Sequence, residues 1–203
     1  MPPFVPPWFL QNGLAMTLYT ALVANRSWSE NLDLAPISYR EQVFKGHGNI
    51  PIFGCWAIPP QPRGTIIATY GITGSLDDQW QLEILGRKAY HRGYGLVLFD
   101  WRAHGKTAEL SPTLTSDGLY EGHDYIALAA QAKALGCAPP FWLMGYSLSG
   151  QLALWGAKAA MDLPSDSGLV PGDIGGVVVV CPSLDSNRSL QHLTADPLGK
   201  YLA

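Results

Sequence analysis

From position 64 onward the chain alternates short runs that are almost wholly apolar with longer stretches of mixed polarity. The apolar runs are Gly64–Tyr70 (Gly-Thr-Ile-Ile-Ala-Thr-Tyr), Gly95–Trp101 (Gly-Leu-Val-Leu-Phe-Asp-Trp), Phe141–Met144 and Ile174–Cys181. Their brevity and β-branched content predict buried strands. Between them the spacing predicts helices. One runs to Arg92 with Asp77 as its cap, Leu82, Leu85 and Ala89 on one face and Gly93 as its stop. A second, Ala-rich helix covers His123–Leu135 and stops at Gly136, and a third runs from Leu148 to about Met161. Ahead of these, Tyr39–Lys45 and Asn49–Pro59 predict two strands paired through a Gly46-His47-Gly48 turn, and Arg102 to about Glu121 reads as one long polar loop. Repeated strand–helix units with apolar strands imply an α/β fold, a mostly parallel sheet with helices on both faces. Pro2, Pro3, Pro6 and Pro7 break any early helix. Residues 1–38 are therefore expected to be an N-terminal extension packed on a domain spanning 39–203.

Composition narrows the partners. Charged residues make up 14% of the chain, against about 25% in a typical globular protein. The net charge of −3 argues against nucleic acid or an anionic membrane held by basic charge. Cys55, Cys137 and Cys181 fit no metal or redox spacing and read as buried reduced thiols of a cytoplasmic protein. The apolar stretch Leu14–Ala24 is too short to cross a bilayer. No Lys or Arg precedes it, so it lacks the basic start of a signal peptide. Peripheral membrane contact through this Pro/Trp/Phe/Leu segment stays open. There is no phosphate-binding loop, dinucleotide fingerprint or Cys/His metal cluster, and no cofactor is expected.

The chemistry concentrates at Phe-Trp-Leu-Met-Gly-Tyr-Ser-Leu-Ser-Gly, residues 141–150. An apolar strand runs into Gly145-Tyr146-Ser147-Leu148-Ser149-Gly150, and a helix rich in small residues follows. This is the layout of a nucleophile elbow, which holds a serine on a tight strand-to-helix turn. Gly145 and Ser149 flank the turn because bulk there would clash as strand and helix close around it. Leu148 opens the helix, so its N–H is free to serve as half of an oxyanion hole. The plainer reading is a polar turn between strand and helix.

Two more segments, in matching order and spacing, make the chain resemble the α/β-hydrolase fold superfamily. Tyr70-Gly71-Ile72-Thr73-Gly74-Ser75 follows the third strand, where that family places its other oxyanion loop. Asp100-Trp101-Arg102-Ala103-His104-Gly105-Lys106-Thr107 resembles the family's Asp-x-Arg-Gly-x-Gly-x-Ser turn. The opening Pro6-Pro7-Trp8, Asn12-Gly13 and Thr17-Leu18 resembles the YheT-type branch of predicted hydrolases and esterases. Three positions depart from the family: Tyr70 stands where His is usual, and Ala103 and Ser149 each replace a glycine.

The resemblance implies a serine hydrolase. Ser147 attacks an ester or acyl-lipid carbonyl, and the backbone N–H groups of Ile72 and Leu148 hold the oxyanion. The triad order is then Ser, Asp or Glu, His. After Ser147 the sequence offers Asp185 and one histidine, His192, as an improvised pair. Of the earlier histidines, His104 lies nearest the expected rim, although a turn residue is the plainer reading. The family's seventh and eighth strands, which carry the acid and histidine, do not follow the strand ending at Cys181. That strand would also be left with an open edge. The chain is therefore expected to be an N-terminal portion, incomplete at its C-terminus and inactive as it stands. A non-catalytic binding module and an acyltransferase using the same serine are the alternatives.

Overall fold

The computed structural model describes residue 3, residues 5–20, residue 23, residues 32–72 and residues 74–195; the side chains of Leu14, Thr17, His192 and Leu193 lie outside that description. The chain separates into two compact units, Met1–Ala35 and Pro36–Ala203. In the first, a 3-10 turn (Trp8–Leu10) precedes helix α1 (Gly13–Tyr19). The Asn12 side-chain oxygen accepts from Ala15 N–H at 3.4 Å, at the distance limit of a helix cap. No helix among the described residues is long and apolar enough to cross a membrane.

The second unit is built on a six-stranded sheet of order β1-β2-β4-β3-β5-β6. Its strands are β1 (Arg40–Lys45), β2 (Pro51–Ala57), β3 (Thr65–Thr69), β4 (Gly95–Phe99), β5 (Phe141–Tyr146) and β6 (Ile174–Val180). The hairpin β1–β2 is antiparallel, and β2 also runs antiparallel to β4. The β4–β3–β5–β6 block is parallel. Every residue of β4 is buried, as a strand covered on both faces requires.

Helix α2 (Trp80–Tyr90) lies on the face carrying Leu96, and α4 (Leu119–Ala134) and α5 (Leu148–Ala159) cover the face carrying Leu143. Small residues set the α4–α5 distance. A side chain at Gly122 would meet Trp155, and one at Gly156 would meet Tyr125 and Leu143. Phe99 and Tyr125 pack edge to face below them at 5.0 Å.

Three expectations need correction. Residues 102–121 are not one loop, because Gly105–Leu110 forms a short helix, α3, packed on β2. Asp77 caps no long helix. It sits in a 3-10 turn (Leu76–Asp78), and α2 begins at Trp80 with Gln79 as its N-cap. The cysteines are free but not all buried: Cys137 is buried, Cys55 partly so and Cys181 exposed. Burial pushes the Cys55 thiol up to about 12 and Cys137 to about 11. Cys181 is therefore expected to react with Ellman's reagent in the native protein, whereas Cys55 and Cys137 react only on unfolding. A thiol titration with and without denaturant checks this.

β6 is the edge strand of the described sheet. It pairs with β5, and Val178 and Val180 remain 48% and 39% exposed. Helix α6 (Ser186–Ala195) follows it. Asp185 precedes α6, and its carboxylate accepts from Arg188 N–H at 2.9 Å, which makes it that helix's cap.

Candidate active site

The carboxyl ends of β4, β3 and β5 lie side by side, which brings together the segments after Phe99, Thr69 and Tyr146. Ser147 follows β5 with φ 54° and ψ −123°, a conformation that non-glycine residues rarely adopt. The turn is locked from several sides. Ser147 N–H donates to Val180 O at 2.9 Å, and the Ser147 carbonyl accepts from Gly150 N–H at 3.0 Å and Ser183 N–H at 3.3 Å. The Ser147 side chain is exposed at the end of the sheet.

Gly145 has to be glycine, since a β-carbon there would fall on the carbonyl of Ser149. Ser149, in place of the second glycine, is fully buried and its hydroxyl is used. It accepts from Tyr146 N–H at 2.8 Å and lies within donating distance of Thr69 O at 3.0 Å and Tyr146 O at 2.9 Å. The substitution thus ties the elbow to the end of β3 rather than merely crowding it. Tyr146 is half-buried, and Gly150 packs against Pro182.

The loop after β3 reaches the serine. A β-carbon on Gly71 would lie 3.0 Å from Ser147 Cβ and 3.5 Å from its Oγ. Ile72 is next in the chain and 62% exposed; Thr73 lies outside the described residues. Leu148, the first residue of α5, has no carbonyl one turn back to bond. The residues expected to supply the nucleophile and the two oxyanion donors are therefore neighbours. Gly71 was not singled out in the sequence, although a glycine directly after the buried Tyr70 was the available signal.

Asp100 organises the floor of this region. It is 1% exposed, and its Oδ1 accepts from the Tyr70 hydroxyl at 2.6 Å and Leu76 N–H at 2.9 Å. Its Oδ2 accepts from Lys106 N–H at 2.9 Å. Burial pushes its pKa up, against the pull of those hydrogen bonds. Arg102, two residues on, pairs instead with Asp124, through Nε to Oδ2 at 2.7 Å and a terminal nitrogen to Oδ1 at 2.8 Å. Both partners are almost completely buried, at 3% and 1% side-chain exposure. Ala103, the other departure from glycine, takes φ 61° itself.

Among the described residues no histidine bonds Ser147. His104 stacks on Trp101 at 3.6 Å and its Nδ1 meets Arg102 O at 3.0 Å, so it acts as a turn residue. His47 and His123 stack on each other at 4.9 Å. The His192 side chain lies outside the described residues. No group of three or more His, Cys, Asp or Glu suited to a metal ion occurs among the described residues.

A mixed sheet of this order, with helices on both faces and a left-handed strand-to-helix turn at the end of a central parallel strand, is the arrangement of the α/β-hydrolase fold. The profile described as "Alpha/beta hydrolase family" matches residues 71–202, and the chain belongs to that family. A presumed esterase of Synechocystis sp., slr0264, is 57% identical over 210 residues, covering 99% of this chain and 57% of that protein. The chain thus spans little more than half the length of this relative. Among solved structures, the Pyrococcus furiosus esterase Pf2001 superposes with TM-score 0.62 at 19% identity, covering 79% of this chain and 56% of that one. A puromycin-hydrolysing peptidase of Mycobacterium tuberculosis gives 0.59 at 18% identity, covering 81% and 25%. These two likenesses show the fold and leave the substrate open.

Proposed function

We propose that the protein is a serine esterase of the YheT-type branch, acting on carboxylic esters or acyl lipids through an acyl-enzyme on Ser147. The observation that carries this is the left-handed Ser147 packed against Gly71; Ile72 follows Gly71 in the chain and Leu148 follows Ser147, and their amides are the oxyanion donors of this reading. The nearness of a presumed esterase at 57% identity supports the choice of ester over other acyl groups.

Ser147 Oγ attacks the carbonyl carbon and gives its proton to a histidine base, while the carbonyl oxygen takes the negative charge between the two amides. The C–O bond of the ester then breaks, the alcohol leaves with that proton, and water releases the acid in a second round. The histidine and its carboxylate are expected outside the described residues, because Asp185 is committed to capping α6.

A fluorophosphonate probe is expected to label Ser147 of the intact protein covalently, and Ser147→Ala to abolish labelling. Labelling elsewhere, or none, sinks the proposal. The absence of a histidine bonded to Ser147 among the described residues favours one second reading, a binding module. That reading requires ligand-dependent thermal stabilisation without labelling or turnover.

A further inference from the structure

Asp100 is an unusual group to bury. A carboxylate at 1% exposure is costly unless it is matched by a cation. None is given to it among the described residues: Arg102 pairs with Asp124, and the Lys106 ammonium with Glu41 at 3.5 Å. Three neutral donors hold it instead, and two of them converge on a single oxygen. Those two, the Tyr70 hydroxyl and the Leu76 amide, sit at the two ends of the segment that carries Gly71 and Ile72.

We propose that Asp100 and Tyr70 are positioning residues, a clamp in which Asp100 Oδ1 holds Tyr70 and Leu76 and so aims the Ile72 N–H at the oxyanion. The inference rests on the serine-esterase reading for its catalytic consequence and on geometry alone for the clamp. Neither residue touches substrate; each acts through the backbone between them. The third bond, from Lys106 N–H to Oδ2, fixes the carboxylate from the opposite side, so it cannot rotate to release the loop. Thr107 completes the support. Its hydroxyl lies within donating distance of Asp100 O at 2.6 Å, and it accepts from Phe53 N–H at 2.8 Å, which anchors the carboxylate's own backbone to β2.

Tyr70 gives this clamp its reach. A phenol spans from the end of β3 to a carboxylate after β4, and the same hydroxyl lies 3.3 Å from Gly74 O. The departure at position 70 thus builds a specific link between the loop and the buried acid.

The test uses Tyr70→Phe, which removes only the hydroxyl, and Asp100→Asn, whose amide accepts through one oxygen alone. Two readouts are taken: amide hydrogen exchange across the chain, and the rate of fluorophosphonate reaction at Ser147. The expected result is faster exchange confined to 71–76, with 141–146 and 148–159 unchanged. Labelling is expected to slow by about 100-fold in Asp100→Asn, the lower end of the range for a lost oxyanion donor, and by about 10-fold in Tyr70→Phe, which leaves the Leu76 bond in place. Wild-type exchange at 71–76 in both variants overturns the clamp. Faster exchange throughout the sheet also overturns it, because the pair would then be merely structural. If the wild-type protein is not labelled, the esterase reading fails while exchange still decides the clamp. Local exchange with undiminished labelling overturns the catalytic consequence.

Discussion

Gly145→Ala is expected to destroy the elbow. The added β-carbon has nowhere to go, since what it meets is backbone: the carbonyl group of Ser149 and the Gly150 nitrogen. A flexible side chain could swing aside, but a helical turn cannot without pulling α5 off the sheet. Overpacking of a well-filled core costs about 1–3 kcal/mol. Here about 3 kcal/mol or more is expected, because the Ser149 hydroxyl bonds to Thr69 and Tyr146 strain together with the turn. Urea unfolding followed by fluorescence should show the lower midpoint, and Ser147 should no longer accept a fluorophosphonate. An unfolding free energy within about 0.5 kcal/mol of wild type would mean that strand and helix are less closely engaged than these contacts require.

Arg102→Ala is expected to cost about 3–5 kcal/mol, the range for removing one member of a buried ion pair. The loss is larger than that of a surface pair because Asp124 stays behind, 1% exposed. His47 N–H still donates to its Oδ1 at 2.7 Å, but the guanidinium fork is gone. Burial already pushes the Asp124 pKa up despite its arginine, and without Arg102 it rises further. A carboxyl whose folded pKa lies above its unfolded value costs stability once the pH passes the unfolded value of about 4. The deficit of Arg102→Ala should therefore be smaller at pH 5 than at pH 8. Made in an Asp124→Asn background, Arg102→Ala should cost the same at both pH values, because no carboxyl is left at this site to titrate. Equal deficits for Arg102→Ala at both pH values would mean that Asp124 is hydrated.

The strands that carry the site were readable because they are apolar at nearly every position, as β4 shows: Leu96, Val97, Leu98 and Phe99 leave no other environment open. The elbow was readable because Gly145, Ser147 and the small residues after it serve a local steric need. What escaped was non-local. Asp100 braces its own turn through Lys106, a local bond, yet its bond to Tyr70 spans 30 positions. The Arg102–Asp124 pair joins a loop to a helix 22 residues on, with no pattern between them to announce it. Helix α3 was missed because six residues carry too little periodicity to stand out. Cys181 was misplaced because the strand's apolar run hides the turn at φ 49° that carries the cysteine out of the sheet.

The backbone at Ser147 also sets stability against usefulness. Holding a β-carbon at φ 54° and ψ −123° costs about 1–3 kcal/mol, and glycine would recover part of it while discarding the hydroxyl. Any directed evolution of this scaffold scored on thermal resistance alone would thus be rewarded for deleting the hydroxyl proposed as its nucleophile. A hardened variant worth having must be screened for chemistry and endurance together.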